Sequence, residues 1–291
     1  MGRIVVTGGS GKAGQSIISE LLDAGHTILN LDLAPMSHPS VHTLKTGLTD
    51  SGQVFNALSG QWALTEPFPE GLPPRPDAVV HMAGYARNML VPDNETFRSN
   101  TRDIIIASSI TVYGISFAQG DKNYKSFPIE EDHDVCPTDT YAIAKLCGER
   151  VARGFAVSFG ADIYILRIGH LIGPEEYNQE ICCSYVHEPA LWKVHGWSYI
   201  DARDLGGMCE AGLRTDGLGF QVFNATNDTI TNLQPTEQFL REAFPDTPIT
   251  RKMEEFEAPL TNAKIKRLLG FEEKHGWRKY FNLWDKKRVI I

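Results

Sequence analysis

Arg3-Ile4-Val5-Val6-Thr7 runs directly into Gly8-Gly9-Ser10-Gly11-Lys12-Ala13-Gly14, after which Ile17, Ile18, Leu21 and Leu22 recur at helical spacing. A β-branched run that ends in spaced glycines ahead of an amphipathic segment predicts a buried strand, a tight turn and a helix, the opening of a dinucleotide-binding βαβ unit. At such a junction the unpaired N–H groups of the first helical turn and the positive end of the helix dipole can hold a pyrophosphate, provided no Cβ blocks its approach. Gly8, Gly11 and Gly14 supply that clearance, with Lys12 and Ala13 between them. A glycine-rich turn with no ligand is the competing reading, and the flanking sequence argues against it. A second apolar strand, Thr27 to Leu31, ends in Asp32, whose carboxylate can accept hydrogen bonds from both adenosine ribose hydroxyls and would repel a 2′-phosphate. Leu33 and Ala34 follow with no arginine to receive that phosphate, so the pattern favours NAD over NADP.

The chain has 291 residues and is 42% hydrophobic, enough for one large α/β domain with a smaller appended region. Its five cysteines are odd in number and lack Cys-x-x-Cys spacing, which predicts free thiols in a reducing compartment and no metal site built from them. A formal charge of −8 and the lack of a basic stripe give no electrostatic reason to expect nucleic acid or an anionic membrane as partner. No apolar run approaches the roughly 18 residues of a spanning helix. The sequence opens straight into its first strand without a secretory pattern, so a cytoplasmic protein is expected.

Strands and helices alternate beyond the first unit. Val41 to Leu44 reads as a strand, Thr49-Asp50 caps a helix through Leu58, and Gly60 to Pro76 is a proline-rich excursion. Asp77 to Met82 is a buried strand closing at Ala83-Gly84, where small residues would let the backbone pass close to a nicotinamide ribose. Asp103 to Ala107 is another, ending in Ser108-Ser109. Gly114 to Pro137 reads as a polar loop, Thr138 to Phe159 as a long helix and Asp162 to Arg167 as a strand. This order predicts a Rossmann-type doubly wound parallel sheet. After Gly173-Pro174 the pattern loosens, with strands at Tyr199–Asp201 and Phe220–Asn224 and helices at Arg203–Gly212, Thr236–Phe244 and Thr261–Leu269. Residues 1–174, rejoined by about 199–229, are expected to form the NAD-binding domain. Residues 175–198 and 230–291 are expected to form a small substrate-binding region.

Tyr141 and Lys145 stand one helical turn apart, so an ammonium can lie near a phenol and favour its ionised form. A tyrosine titrates near 10 unaided, and a lysine with a positive nicotinamide can bring it toward neutral pH. Ser109, at the carboxyl end of a parallel strand, is placed to hydrogen-bond a substrate oxygen. A Tyr and a Lys at this spacing are usually an ordinary helix pair. The glycine turn, the acidic strand end and the serine, in that order, give the pair its meaning.

On these residues the chain resembles the extended short-chain dehydrogenase/reductases, specifically the NAD-dependent epimerase/dehydratase family. The matching stretches are Thr7 to Gly14, Asp32, His81-Met82-Ala83-Gly84, Ser108 to Gly114, Tyr141-Ala142-Ile143-Ala144-Lys145, Leu166-Arg167 with Gly173-Pro174, and Ser198 to Asp201 with Asp204. The resemblance implies that Gly8, Gly11, Lys12, Ala13, Gly14, Asp32, Leu48, Ala83 and Gly84 bind NAD. It implies that Ser109 and Tyr141 are catalytic, that Tyr141 and Lys145 touch the nicotinamide ribose, and that Asn100 supports the lysine. It further implies a homodimer through a helix pair.

Several positions depart from the family pattern. Ile110 and Thr111 replace the acidic pair of sugar-nucleotide dehydratases, which argues against 4,6-dehydration. Gly47 stands where an aspartate commonly precedes Leu48 at the adenine, and His170 replaces the usual asparagine before Gly-Pro. Asn100-Thr101-Arg102 meets Asp103-Ile104 at once, so about fifteen residues of the family's crossover helix are missing at a rise of 1.5 Å each. That shortening puts both the dimer and the setting of Asn100 in question. The expected activity is hydride transfer at a secondary alcohol of a small sugar or sugar acid, since the short tail offers no basic cluster for a diphosphate. The alternative is an NAD-binding regulatory or catalytically impaired family member.

Overall fold

The computed structural model describes residues 2–60, 75–83, 103–117 and 123–281. Gly84 and Asn100, the crossover between them and most of the proline-rich excursion lie outside the described residues. The elements are β1 (Arg3–Thr7), α1 (Lys12–Asp23), β2 (Thr27–Asp32), β3 (His42–Lys45), α2 (Ser51–Ser59), β4 (Ala78–His81) and β5 (Asp103–Ser109). There follow α3 (Thr140–Phe159), β6 (Asp162–Ile168), β7 (His170–Ile172), α4 (Gln179–His187), α5 (Pro189–Trp192) and β8 (Tyr199–Asp201). α6 (Ala202–Leu213), β9 (Phe220–Ala225), α7 (Thr236–Ala243) and α8 (Ala263–Leu269) complete the order.

Seven strands form one sheet in the order β3-β2-β1-β4-β5-β6-β9, and the pairs from β3 through β5 run parallel. This is the Rossmann-type doubly wound sheet that the alternating pattern predicts. The strand order reverses between β1 and β4, so Gly8 and Met82-Ala83, which follow those strands, flank the switch point where open α/β sheets bind ligands.

The chain divides into two compact units. The first comprises 1–108, 144–166 and 205–222, and the second 109–143, 167–204 and 223–291. In the first, the ridge of α1 facing the core is Gly14, Ile17, Ile18 and Leu21, all buried, which follows from their spacing of three and four residues. Val5, Leu29, Leu31, Leu44, Val79 and the α2 residues Val54, Ala57 and Leu58 pack into one cluster, with Leu48 half-buried against it. Ile104, Ile106, Ile163 and Ile165 pack with Ala152 and Ala156 of α3 into another. Helix α2 starts where predicted because Asp50 accepts a hydrogen bond from Gln53 N, and it ends at Gly60 in the left-handed conformation (φ +77°).

The second unit has a core of its own, in which Tyr124, Phe127, Tyr185, Tyr199, Phe223 and Trp277 are buried. The stretch read as a polar loop contributes Tyr124, Phe127 and Ile129 to that core. Phe127 N and Ile129 N donate to the carbonyls of Pro248 and Pro259, partners far along the chain that no local pattern could reveal. Helices α4 and α5 also went unpredicted, although Asn178 caps α4 through Ile181 N and Pro189 occupies the first turn of α5. All five cysteines are free. Among the described residues no helix is long and apolar enough to cross a membrane.

Candidate active site

The glycine turn divides its glycines by job. Gly8 has φ +72°, and a Cβ there would lie 2.7 Å from Ala83 Cα; a Cβ on Gly14 would lie 2.3 Å from the Gly8 carbonyl. Both are glycine because the fold closes on them. Gly11 differs, since its Cβ would meet only the Gly8 carbonyl, at 3.3 Å. Its open side gives onto the amino terminus of α1, which has no side-chain cap and no acidic residue in its first turn. A helix amino terminus without a side-chain cap suits an anion, and Lys12 and Ala13 are the first two residues of that turn.

Asp32, at the end of β2, accepts Ser10 N at 3.0 Å through Oδ2 and Ala34 N at 3.1 Å through Oδ1. A carboxylate has about four acceptor positions, so lone pairs remain for two hydroxyls. Asn30 is a residue that sequence reasoning missed. Fully buried in β2, it accepts Gly9 N at 3.0 Å and donates to Ser10 Oγ and Thr43 Oγ1, pinning the turn from beneath. The signal was a lone amide inside an apolar strand, which burial tolerates only when it is hydrogen-bonded. Thr7 plays a similar part at the end of β1. Its hydroxyl is 2.8 Å from His81 Nδ1 and accepts Ala83 N at 3.3 Å. Burial and the nearby Lys145 charge push the His81 imidazole down to about 4, so it is neutral.

Lys145 is buried in the first unit and donates from Nζ to the Ala107 carbonyl at 2.8 Å. Burial lowers its ammonium to about 8 against the opposing pull of Glu149, which in turn accepts Ser108 Oγ at 2.7 Å.

In the second unit Ser109 opens the single turn Ile110–Tyr113 and accepts Thr111 N at 3.2 Å. Its side chain also acts on the Tyr141 phenol and favours the ionised form. Tyr141 lies in the first turn of α3, which starts here because Asp139 accepts Ala142 N at 2.9 Å, and Phe117 meets the Tyr141 ring edge-on at 6.2 Å. The turn after Ser109 is locked by a buried network. Tyr113 OH donates to Asn224 Oδ1 at 2.7 Å and accepts Arg167 Nη1 at 3.0 Å, while Asn224 N donates to Glu131 at 2.8 Å. The expectation for the phenol's acidity needs correction. Burial is the largest influence on Tyr141 and holds it above its ordinary range, with Asp139 adding to the rise and the Ser109 side chain opposing it. A bound positive nicotinamide was part of the expectation, and the chain alone does not carry that charge.

Sheet, glycine turn and acidic strand end together define an α/β protein of the dinucleotide-binding class. Residues 4–186 match the model of the NAD dependent epimerase/dehydratase family, and the chain belongs to that family. Among characterised relatives, a UDP-glucose 4-epimerase of Azospirillum brasilense is 24% identical over 197 residues, which cover 60% of this chain and 50% of that protein. The chain spans about half the length of the curated relatives it matches. A short-chain dehydrogenase/reductase superfamily protein from Agrobacterium tumefaciens, solved with bound NAD, superposes with a TM-score of 0.66 at 18% identity over 99% of this chain and 98% of that one. Uronate dehydrogenase from Agrobacterium tumefaciens does so at 0.62 and 17% identity, over 98% and 88%. These two likenesses bear out the fold.

Proposed function

We propose that the chain is an NAD-dependent oxidoreductase or epimerase acting at a secondary alcohol of a sugar or sugar acid, through Tyr141, Ser109 and Lys145. The observation that carries this reading is the action of the Ser109 side chain on the Tyr141 phenol, which favours the phenolate. NAD suits the residues of the first unit. The uncapped start of α1 and the open side of Gly11 fit a pyrophosphate, with Lys12, Ala13, Gly8 and Gly14 around it. Asp32 fits the ribose of NAD and repels the phosphate of NADP. Leu48 would border the adenine, and Ala83 the nicotinamide ribose, which Tyr141 and Lys145 would also touch.

Bound there, the cofactor supplies a hydride acceptor. Ser109 donates to the substrate oxygen and orients the reacting carbon. Tyr141 takes the proton from the alcohol as the O–H bond breaks, and returns it when the reaction runs backward. Lys145, held on the Ala107 carbonyl, contributes positive charge that favours the phenolate. A wall of Ile110 and Thr111 after the serine gives no carboxylate for eliminating water, in keeping with redox or epimerisation chemistry.

Incubation with NAD and a panel of sugars and sugar acids tests the reading, following absorbance of reduced nicotinamide and the stereochemistry of the recovered sugar. Turnover of either kind supports it. NAD binding without any turnover would instead favour a binding role within the family.

A further inference from the structure

Phe117 has no part in the chemistry above, although it stands at the phenol. Its side chain is 58% exposed, and its ring lies 6.2 Å from that of Tyr141 between centroids, at an interplanar angle of 82°. Among the described residues it has no other ring contact. One exposed apolar side chain on a surface needs no explanation. One held against the proposed proton acceptor, with most of its area left open, does.

The backbone that carries the ring is fixed from several sides. Tyr113 closes the turn Ile110–Tyr113 within the Asn224 and Arg167 network. Gly114 leaves that turn at φ +80°, and a Cβ there would lie 2.2 Å from the Cys136 carbonyl oxygen, so only glycine fits the path. Ile115 is buried, and Ser116 Oγ donates to the Val194 carbonyl at 2.6 Å. Phe117 is the first exposed residue after β5. A ring on so constrained a backbone has little freedom left to lose when a ligand settles on it. Two kinds of surface therefore meet here, an apolar plane open to solvent and a hydrogen-bonding phenol, close enough for one hexose to touch both.

We propose that Phe117 is a specificity-determining residue, a stacking platform for the C–H face of a closed sugar ring whose rim hydroxyl engages Tyr141. The proposal rests on the reading of Tyr141 and Ser109 given above, and adds to it that the substrate is held as a ring and not as an open chain. A pyranose divides its surface as this corner does, with C–H bonds on its faces and equatorial hydroxyls around its rim. Lying flat on Phe117, it stands at the same steep angle to the Tyr141 ring as Phe117 does. The C–H face loses water against the aromatic plane, and its partly positive hydrogens meet the negative face of the π system. An open-chain polyol carries the same hydroxyls and no such face. The difference between the two ligands is selectivity, and it comes from apolar contact, not from hydrogen bonds.

The test pairs D-galactose and D-galacturonate with the open-chain compounds made by reducing their C1, galactitol and L-galactonate, in wild type, Phe117→Leu and Phe117→Tyr. Leucine keeps apolar bulk without the flat face, and tyrosine keeps the face. Near-UV circular dichroism establishes that both variants are folded. Wild type is expected to prefer the ring over its open-chain partner by about tenfold or more in kcat/KM. Phe117→Leu should raise KM for the ring about tenfold with kcat within about threefold, and Phe117→Tyr should restore the wild-type KM. Saturation transfer from the aromatic protons of the NAD-loaded protein to the C–H protons of the sugar gives a readout without turnover. It should be strong in wild type and Phe117→Tyr and fall by about threefold or more in Phe117→Leu. Turnover with an unchanged KM in Phe117→Leu overturns the platform and leaves the catalytic reading intact. Saturation transfer that depends on Phe117, without turnover, keeps the platform and overturns the catalytic reading. Absence of turnover together with transfer that is missing or indifferent to Phe117 overturns both.

Discussion

The Ser109 side chain acts on the Tyr141 phenol, and it is the influence that opposes burial in setting that phenol's acidity. In the proposed mechanism the reactive form is the phenolate, and burial holds the phenol above its ordinary value, so activity is expected to rise with pH through the alkaline range. Removing the hydroxyl removes the influence that lowers the phenol. In Ser109→Ala the alkaline limb of the kcat/KM profile should therefore move to higher pH, and kcat should fall by about 10²-fold or more from loss of the substrate contact. A fall in kcat with no movement of the limb would separate the serine from the tyrosine.

The glycines of the first turn make a contrast between folding and binding. Gly14→Val puts a Cβ 2.3 Å from the Gly8 carbonyl and should cost about 1–3 kcal/mol in urea unfolding, as overpacking does. Gly11→Ala meets a single carbonyl at 3.3 Å and should unfold close to wild type, yet bind NAD at least about tenfold more weakly because the methyl group occupies the open side. Calorimetry of NAD binding beside urea unfolding of both variants checks the pair.

Asp32 is expected to choose the cofactor. Asp32→Asn keeps an acceptor for only one of Ser10 N and Ala34 N and removes the charge that repels a 2′-phosphate. The ratio of NAD to NADP affinity should drop by about tenfold or more, mainly through tighter NADP binding. An unchanged ratio, measured by fluorescence titration of the reduced cofactors, would remove the aspartate from that role.

Lys145 links the site to stability. Its ammonium is lowered to about 8 in the fold against 10.5 in the unfolded chain, so between those values the unfolded state binds more protons and stability rises with pH. Lys145→Met lacks this term. Its unfolding free energy relative to wild type should therefore decline as pH rises from about 8 to about 10.5, whatever its value at pH 7. Urea titrations across that range, at which a flat difference is the contrary outcome, decide the point.

Local chemistry was legible in the sequence and long-range chemistry was not. The turn from β1 to α1, the Asp50 cap, the serine at the end of β5 and the helix α3 that carries Tyr141 and Lys145 all rest on neighbours within a few residues, where periodicity and capping apply. Asn30 could have been found as an amide stranded among apolar neighbours. The Tyr113–Asn224–Arg167 network could not, because its members come together only when segments far apart in the chain meet. The same holds for Phe127 and Ile129, which looked like loop residues until the carbonyls of Pro248 and Pro259 supplied their partners. The direction of the phenol's shift also depends on burial, a quantity that no spacing of Tyr and Lys encodes.

The most direct test of the account compares wild type with Tyr141→Phe on a substrate that wild type turns over. This substitution removes the proposed proton acceptor and leaves the glycine turn and Asp32 untouched. The account predicts that kcat falls by about 10²-fold or more while the Kd for NAD changes by less than about tenfold. Turnover that survives the loss of the phenol, under the same cofactor saturation, would contradict it.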